Sequence, residues 1–263
     1  MKSFLIAAAA TLAAMPTLAA DPLYEEGFSG RLGAMFSTAD TRLRVDAGNG
    51  ALGTTITLED NLGYTKDKTL PMFDATWRIN PRHRIELGYA NLSRDAQKTI
   101  TGEIRFGDTV FPVNTNVNSK FDSEVWRLTY GWSFYREGGN ELSLLLGLHV
   151  TGFETKLEGA GGRLVETSDY TVPLPTIGLQ GSWAFDPQWR VGGWVQVFSL
   201  KYNDYDGSLI NGALTAEYRI NRNFAVGAGY SVYDYNLEVN KSRSRAKFEY
   251  QFAGPVLYLN AGF

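Results

Sequence analysis

The nine residues Trp126-Arg127-Leu128-Thr129-Tyr130-Gly131-Trp132-Ser133-Phe134 decide the fold. Even positions are large and apolar; odd positions are charged, hydroxylated or glycine. Side chains of an extended strand point alternately to its two faces, so this stretch has one greasy face and one polar, small face. The same two-residue beat continues outward in both directions. Toward the C-terminus, Leu142, Leu144, Leu146, Leu148 and Val150 oppose Ser143, Gly147, His149 and Thr151, with Leu145 out of step. Ile210, Leu214, Tyr218 and Ile220 oppose Asn211, Thr215, Glu217 and Arg219. Phe224, Val226, Ala228, Tyr230 and Val232 oppose Ala225, Gly227, Gly229 and Ser231. Toward the N-terminus, Phe73, Ala75, Trp77 and Ile79 oppose Asp74, Thr76, Arg78 and Asn80, and Ile85, Leu87 and Tyr89 oppose Arg84, Glu86 and Gly88.

A soluble sandwich turns such an apolar face inward, whereas a membrane barrel turns it outward to lipid. Three features favour the barrel. The polar face mixes Gly, Ser and Thr with single charges of both signs, which suits a narrow lumen better than a solvated surface. Short turns at Asn80-Pro81-Arg82, Arg136 to Asn140, Asp186-Pro187-Gln188 and Asn221-Arg222-Asn223 alternate with longer polar stretches near 46–68, 94–120, 158–168, 203–208 and 239–245. Outer-membrane barrels show this asymmetry of periplasmic turns and external loops. Finally, Trp77, Trp132, Phe134, Trp183, Phe185, Trp189, Tyr218, Phe224 and Phe263 all fall near a short turn or the C-terminus, as a membrane-interface aromatic girdle requires. Phe121, Phe153, Tyr202, Tyr235 and Phe252 lie about ten residues further along their strands and are expected to form the second girdle.

The expectation is an all-β, transmembrane, up-and-down antiparallel β-barrel of about ten strands, with eight or twelve as alternatives. The strands are expected at 28–46, 68–79, 83–93, 120–135, 141–157, 169–185, 189–202, 208–220, 224–238 and 246–263. Leu43–Asp46 and Thr54–Leu58 form a further hairpin above the membrane or add two strands. Pro173 and Pro175 mark an irregular part of their strand. The change of parity between Phe248/Tyr250 and Leu257/Leu259 predicts a bulge near Gly254-Pro255.

Residues 1–20, MKSFLIAAAATLAAMPTLAA, have the layout of a secretory leader: one Lys, a short apolar run, a Pro and small residues before Asp21. Cleavage after Ala20, or after Ala19, leaves a barrel over 21–263. The 263-residue chain carries 28 glycines, 6 Trp, 14 Tyr and 15 Phe, and no cysteine, which removes disulfides, thiolate metal sites and a Cys nucleophile. With 25 basic and 28 acidic residues it has no positive excess for a phosphate backbone, so nucleic acid is not an expected partner.

The terminal GPVLYLNAGF, with Leu257, Leu259 and Phe263, resembles the C-terminal signal read by the barrel-assembly machinery of Gram-negative bacteria. GTTITLEDNLGY (53–64), RINPRHRIELGY (78–89), FGDTVFPVNT (106–115) and LKYNDYDGSL (200–209) resemble an uncharacterised family of proteobacterial outer-membrane β-barrel proteins. The resemblance implies a multi-pass barrel in the cell outer membrane and carries no activity with it.

Chemistry is sparse. A barrel protease needs paired carboxylates opposite an Asp–His pair at loop level. Asp204 and Asp206 offer the carboxylates, but His83 adjoins a short turn and His149 falls on the lumen face. Ser143 and Thr151 share that face with His149 without an orienting third group. Asn203 to Ser208 has the beginning of a calcium-loop spacing without its later Glu, and reads as a tight external turn. No metal and no cofactor are expected. Asp74, Arg78, Arg84, Glu86, Arg127, His149, Arg190, Glu217 and Arg219 all fall on lumen faces, mostly in the periplasmic half. Unpaired buried charge is costly, so they are expected to compensate one another and plug the tube. The function that follows is non-enzymatic: a monomer in contact with outer-membrane lipid and lipopolysaccharide, acting structurally or through its external loops. The alternatives are a narrow solute channel and, more remotely, a surface hydrolase or lipid A-modifying enzyme.

Overall fold

Each alternating stretch becomes one long antiparallel strand in the computed structural model, which describes residues 27–137, 139–202, 204–241 and 244–263. The leader expected over 1–20 lies outside them. In chain order the elements are β1 (Phe28–Val45), β2 (Ile56–Thr57), α1 (Leu58–Leu62), β3 (Asp67–Asn80), β4 (His83–Thr99), β5 (Ile104–Phe106), β6 (Thr109–Phe111) and β7 (Asn116–Glu137). There follow β8 (Asn140–Gly159), β9 (Leu164–Ala184), β10 (Trp189–Tyr202), β11 (Tyr205–Arg219), β12 (Phe224–Lys241) and β13 (Ser244–Gly262). The ten long strands pair in sequence order, and β13 closes on β1 from Ser29↔Gly262 to Val45↔Ala246. The fold is a closed ten-stranded transmembrane β-barrel.

Following the register once around the ring displaces a residue along β1 by about 12 positions. Ten strands at that stagger tilt by roughly 40° and enclose a tube of about 10 Å radius, room for one layer of side chains from each wall. Three of the four short turns use one device. Asn80 Oδ1 accepts from the N–H of Arg82 and His83 (2.9 and 3.1 Å), Asp186 Oδ1 from Gln188 and Trp189 (2.6 and 3.0 Å), and Asn221 Oδ1 from Asn223 and Phe224 (2.9 Å each). A short Asx side chain here replaces a backbone partner and reverses the chain within three residues.

The wall is built for two solvents. In its lower part the apolar face looks out: Trp126, Leu128, Tyr130, Trp132 and Phe134 of β7, Leu142, Leu144, Leu146 and Leu148 of β8, Val191, Val195 and Val197 of β10 and Leu257 and Leu259 of β13 are all exposed. This belt is about nine residues tall, or roughly 25 Å at the strand tilt, the height of an outer-membrane hydrocarbon layer. Above it the faces exchange roles without any change of register. Outward positions become Lys120, Asp122 and Glu124, or Glu154, Lys156 and Glu158, while inward positions become Phe121, Phe153, Leu157, Tyr235, Leu237, Phe248 and Tyr250, all buried. That upper section stands in water, where an apolar interior and a charged exterior are the stable arrangement.

Two expectations fall to this inversion. Phe121, Phe153, Tyr235 and Phe252 are not a second girdle; they point inward and form one aromatic cluster with Tyr233, Phe248 and Tyr250, in which contacting rings lie 4.7–6.2 Å apart between centroids. The side chain of Tyr202 lies outside the described ones. At Gly254-Pro255 there is an interruption and not a bulge: β13 keeps one register against β12 from Phe224↔Ala261 to Lys241↔Ser244, and its ladder with β1 skips Phe36–Ser37 and resumes in the same register. The parity change at 248–259 is the lumen passing from polar to aromatic. Register shifts occur instead near the short turns, between Arg78 and Asn80 and between Ser133 and Tyr135.

The long segments 46–66 and 100–115 fold into the upper mouth. β2 pairs with Arg42 and Leu43, taking the edge of β1 that β3 leaves above Thr38, so the count of wall strands remains ten. α1 is closed by Gly63, whose φ of 79° lets its N–H turn back to Leu58 O. The β5–β6 hairpin is tied to the segment before β2 and to the end of β1: Thr54 N donates to Arg105 O (2.8 Å), Arg105 N to Thr54 Oγ1 (2.9 Å) and Gly107 N to Val45 O (3.1 Å). Ile56, Leu58, Leu62, Phe106 and Phe111 are completely buried in the core below.

Candidate functional site

The lower lumen is the polar site of the molecule. Long side chains fit across a tube this narrow only where the facing wall is bare. A Cβ on Gly88 would fall 2.7 Å from Arg127 Nη2 and 2.8 Å from Asp74 Oδ1, and one on Gly131 would fall 2.9 Å from Arg84 Cζ. The glycines of the polar face are therefore the space in which the arginines lie.

Arg84, on β4 and 1% exposed, is the most densely bonded group. It donates to Glu86 (2.6 Å), Ser133 (3.1 Å), Ser143 (2.8 Å), Gln180 (2.6 Å) and Glu141. Glu141, near the start of β8, also accepts from Arg78 (2.9 Å) and from the Ser133 hydroxyl, and Arg136 approaches it at 3.9 Å. A second cluster joins Arg127 to Asp74, with the guanidinium 4.6 Å from the Trp194 ring centroid. In a third, Arg190 donates to Glu217 (2.6 Å), which also accepts from Asn260 (3.1 Å). Arg31 lies over the Tyr258 ring at 5.2 Å. Between the clusters is a cavity of about 140 Å³, and a smaller one of about 50 Å³ continues upward between Met35, Leu70, Tyr233 and Phe252.

Asp74, Arg78, Arg84, Glu86, Arg127, Arg190 and Glu217 are thus gathered in the lower lumen as ion pairs. Arg219 is buried at the turn level and donates to the Arg222 carbonyl (2.9 Å). His149 is fully buried higher up; its Nε2 donates to Gln196 Oε1 at 3.3 Å, and Gln196 in turn donates to Thr129 and Thr176 (3.2 Å each). Sequence reading missed Glu141, Arg31 and Gln180. Glu141 follows directly on a short turn, where charge reads as solvated, yet it continues the lumen parity of Ser143 and His149 along β8 and so points to Arg78 and Arg84.

A further ion pair sits in the upper half, where charge was not expected. Arg94 of β4 and Glu59 of α1 pair at 2.6 Å with side chains 2% exposed each. Glu59 also accepts from Thr41 N (3.1 Å), and Arg94 reaches Thr41 Oγ1 and lies 5.3 Å from the Tyr64 ring and 5.6 Å from the Phe121 ring. This is a latch between the inserted segment and the wall. Burial beside it pushes the Tyr64 hydroxyl up to about 12, so it stays protonated.

The groups considered for catalysis do not assemble. His149 is deep in the lumen, while Asp206 is on the exposed β10–β11 tip, paired with Lys201 at 3.1 Å. His83 lies at the lower rim against the Tyr130 hydroxyl (2.5 Å). Among the described residues no cluster of three or more His, Asp or Glu has the grouping of a metal site.

The exposed lower aromatics (Trp77, Trp132, Phe134, Trp183, Phe185, Trp189, Phe224 and Phe263), with Tyr218 against Trp189 at 5.0 Å, lie on the outer wall near the short turns. Leu257 and Leu259 face outward on β13 beside them.

No protein-family model matches the chain, and no curated protein matches it. Solved structures do. The outer membrane protease OmpT of Escherichia coli superposes with a TM-score of 0.63 at 14% identity, covering 94% of this chain and 99% of that one. The translocator domain of autotransporter NalP from Neisseria meningitidis gives 0.42 at 12% identity, covering 92% and 90%. The outer membrane protein OprG from Pseudomonas aeruginosa gives 0.39 at 11%, covering 92% and 99%. At 14% identity the likeness to OmpT concerns architecture alone, and it agrees with the closed register and the apolar belt, which make this chain a ten-stranded β-barrel of the outer-membrane type.

Proposed function

We propose that this protein is a non-conducting, non-enzymatic barrel of the Gram-negative outer membrane that acts through the part of it standing above the lipid. Its leader, 1–20, is removed on export, and Leu257, Leu259 and Phe263 present it to the barrel-assembly machinery. It is a monomer without a cofactor, its belt in contact with outer-membrane lipid and lipopolysaccharide, and it is kin to the proteobacterial barrels that its sequence resembles.

One observation carries this reading. The lumen ends upward in a packed apolar core, with Phe121, Phe153 and Tyr235 of the wall against Ile56, Leu62, Phe106 and Phe111 of the inserted segments, each at most 2% exposed. A hydrated ion has no path through such a layer. Below it, Arg84 and Glu141 cross the tube. What the molecule offers to the outside is a rim of alternating charge, including Arg42 against Glu249 (3.4 Å) and Lys156 against Glu158 (3.4 Å). The non-enzymatic reading rests on the burial of His149 and its distance in the fold from the exposed Asp204 and Asp206 tip. Planar-bilayer recording of the purified protein tests the proposal: silence is expected, and steady unitary openings would replace it with the narrow-channel reading.

A further inference from the structure

The wall has a lateral slot between β9 and β10. β9 and β10 pair from Arg190↔Ala184 to Val197↔Ile177, and no pairing joins them above that level among the described residues, although β9 stays registered with β8 to Leu164 and β10 with β11 to Tyr205. The cause is in the sequence. The N–H of Ala184 points to the β8 side, where it donates to Asn140 Oδ1 (2.9 Å). Alternation then turns the odd positions of β9, including Pro173 and Pro175, toward β10. Two successive positions that should donate to β10 therefore have no N–H, and the ladder stops. It stops at the top of the apolar belt, where water can first satisfy an open strand edge.

The slot is a cavity of about 570 Å³, within the range of small-molecule sites at ~300–1,000 Å³. Its walls come from both faces of the barrel: Ile177, Val197 and Ile210 from the lipid side, Thr176, Phe198 and Leu209 from the inward side. Leu200, an inward position by strand alternation, is 51% exposed, whereas Leu237 and Phe248 in the upper core are at most 3% exposed. The upper margin is polar: Ser199, Ser208, Asp234 and Asn236, with Asn236 Nδ2 donating to Asp234 Oδ1 at 3.0 Å.

We propose that this slot binds a single-chain aliphatic molecule with an uncharged, hydroxyl-bearing head. Its chain lies between Ile177, Val197, Phe198, Leu209 and Ile210, and its head meets the Ser199 backbone, Ser208 and Asn236. The apolar floor continuous with the lipid belt sets the chain; the open backbone edge and hydroxyls set the head; the Asp234 carboxylate selects against a second anion.

The chain has no cysteine, so Leu200→Cys in lipid nanodiscs accepts one polarity-sensitive fluorophore, and Ser93→Cys, outward on β4, gives the control. Dodecanol is expected to shift the Leu200 label to the blue saturably at one molecule per chain, while the Ser93 label changes only in proportion to bilayer loading. Dodecanoate at pH 8 should need about tenfold more for the same shift, and Asp234→Asn should close that gap. Parallel, unsaturable responses at both labels, or a gap unaffected by Asp234→Asn, would overturn the proposal. If the labelled variant gives no heat-modifiable folded band, the unlabelled protein is measured: a saturable rise of its unfolding midpoint with dodecanol supports the site, and no rise overturns it.

Discussion

Replacing Glu141 by Gln keeps the shape of the side chain and removes the charge that three arginines share. Arg78 (2.9 Å), Arg84 and Arg136 (3.9 Å) would then face one another in the lower lumen, and Ser133 and Ser143 would have an amide in place of a carboxylate oxygen. The pair is well shielded, at 1% exposure for the Arg84 side chain and 12% for Glu141. Breaking a buried pair by removing one partner costs about 3–5 kcal/mol, because the remaining charge cannot be hydrated. At about 2–4 °C per kcal/mol for a chain of this size, the unfolding midpoint should fall by roughly 6–20 °C. Heat-modifiable gel mobility in a fixed detergent reads that midpoint. Glu137→Gln, four residues away and exposed at the turn, is the reference substitution and should move it by no more than about 0.5 kcal/mol equivalent. In the double variant Arg84→Met/Glu141→Gln the two costs should not add, since each removes the same interaction. An equal midpoint for Glu141→Gln and Glu137→Gln, or strict additivity in the cycle, would refute the idea that Glu141 organises the lower lumen.

Arg127→Met should keep the contact with Trp194 and strand the Asp74 carboxylate, lowering stability by about 1–3 kcal/mol; an unchanged thermal transition would count against the second cluster. Glu59→Ala should strand the buried Arg94 and open the latch, raising the rate of protease nicking within 46–66 at least about tenfold and lowering the unfolding midpoint with it, because Ile56, Leu58 and Leu62 then leave the upper core; unchanged nicking would count against the latch. Phe153→Ala removes a ring packed against Phe121, Tyr235, Phe248 and Tyr250 and should cost about 3–5 kcal/mol, whereas Leu146→Ala on the lipid face leaves no internal cavity and should cost far less; comparable losses would contradict the assignment of the two faces.

The barrel itself was legible because its signal is local: period two between Trp126 and Phe134, an Asx residue opening three of the four short turns, and Trp or Phe beside each. The polar partners Asp74, Arg84, Arg127 and Glu217 were legible for the same reason, since each is a charge on the face opposite an apolar row. Two kinds of information were not local. Glu141 meets Arg78 and Arg84 from another strand, and which charges face one another across the tube is set by the register between strands rather than by the pattern along any one of them. The aromatics Phe121, Phe153, Tyr235 and Phe252 have the right spacing for an upper girdle, but one position of parity decides between lipid and core. Phe248 and Tyr250 carried that parity, and a bulge was the cheaper reading only while the lumen was assumed polar along its whole length.

The exchange of faces explains why the open edge, the inserted segments and the buried latch all lie at one end. Within the hydrocarbon every backbone group must be paired, so the lower wall admits no gap, and the two prolines of β9 occur only where that requirement ends. Above it the barrel is an ordinary protein in water, and a ten-stranded tube with a hollow apolar interior would be unstable there. Its own strands supply only one layer of side chains from each side. The segments 46–66 and 100–115 provide the missing filling, with Ile56, Leu58, Leu62, Phe106 and Phe111 completing the core. The seal across the lumen is therefore a consequence of how far the strands project beyond the membrane. Strands that ended at the belt would need no such filling, and the same lower lumen would then stand open at its top.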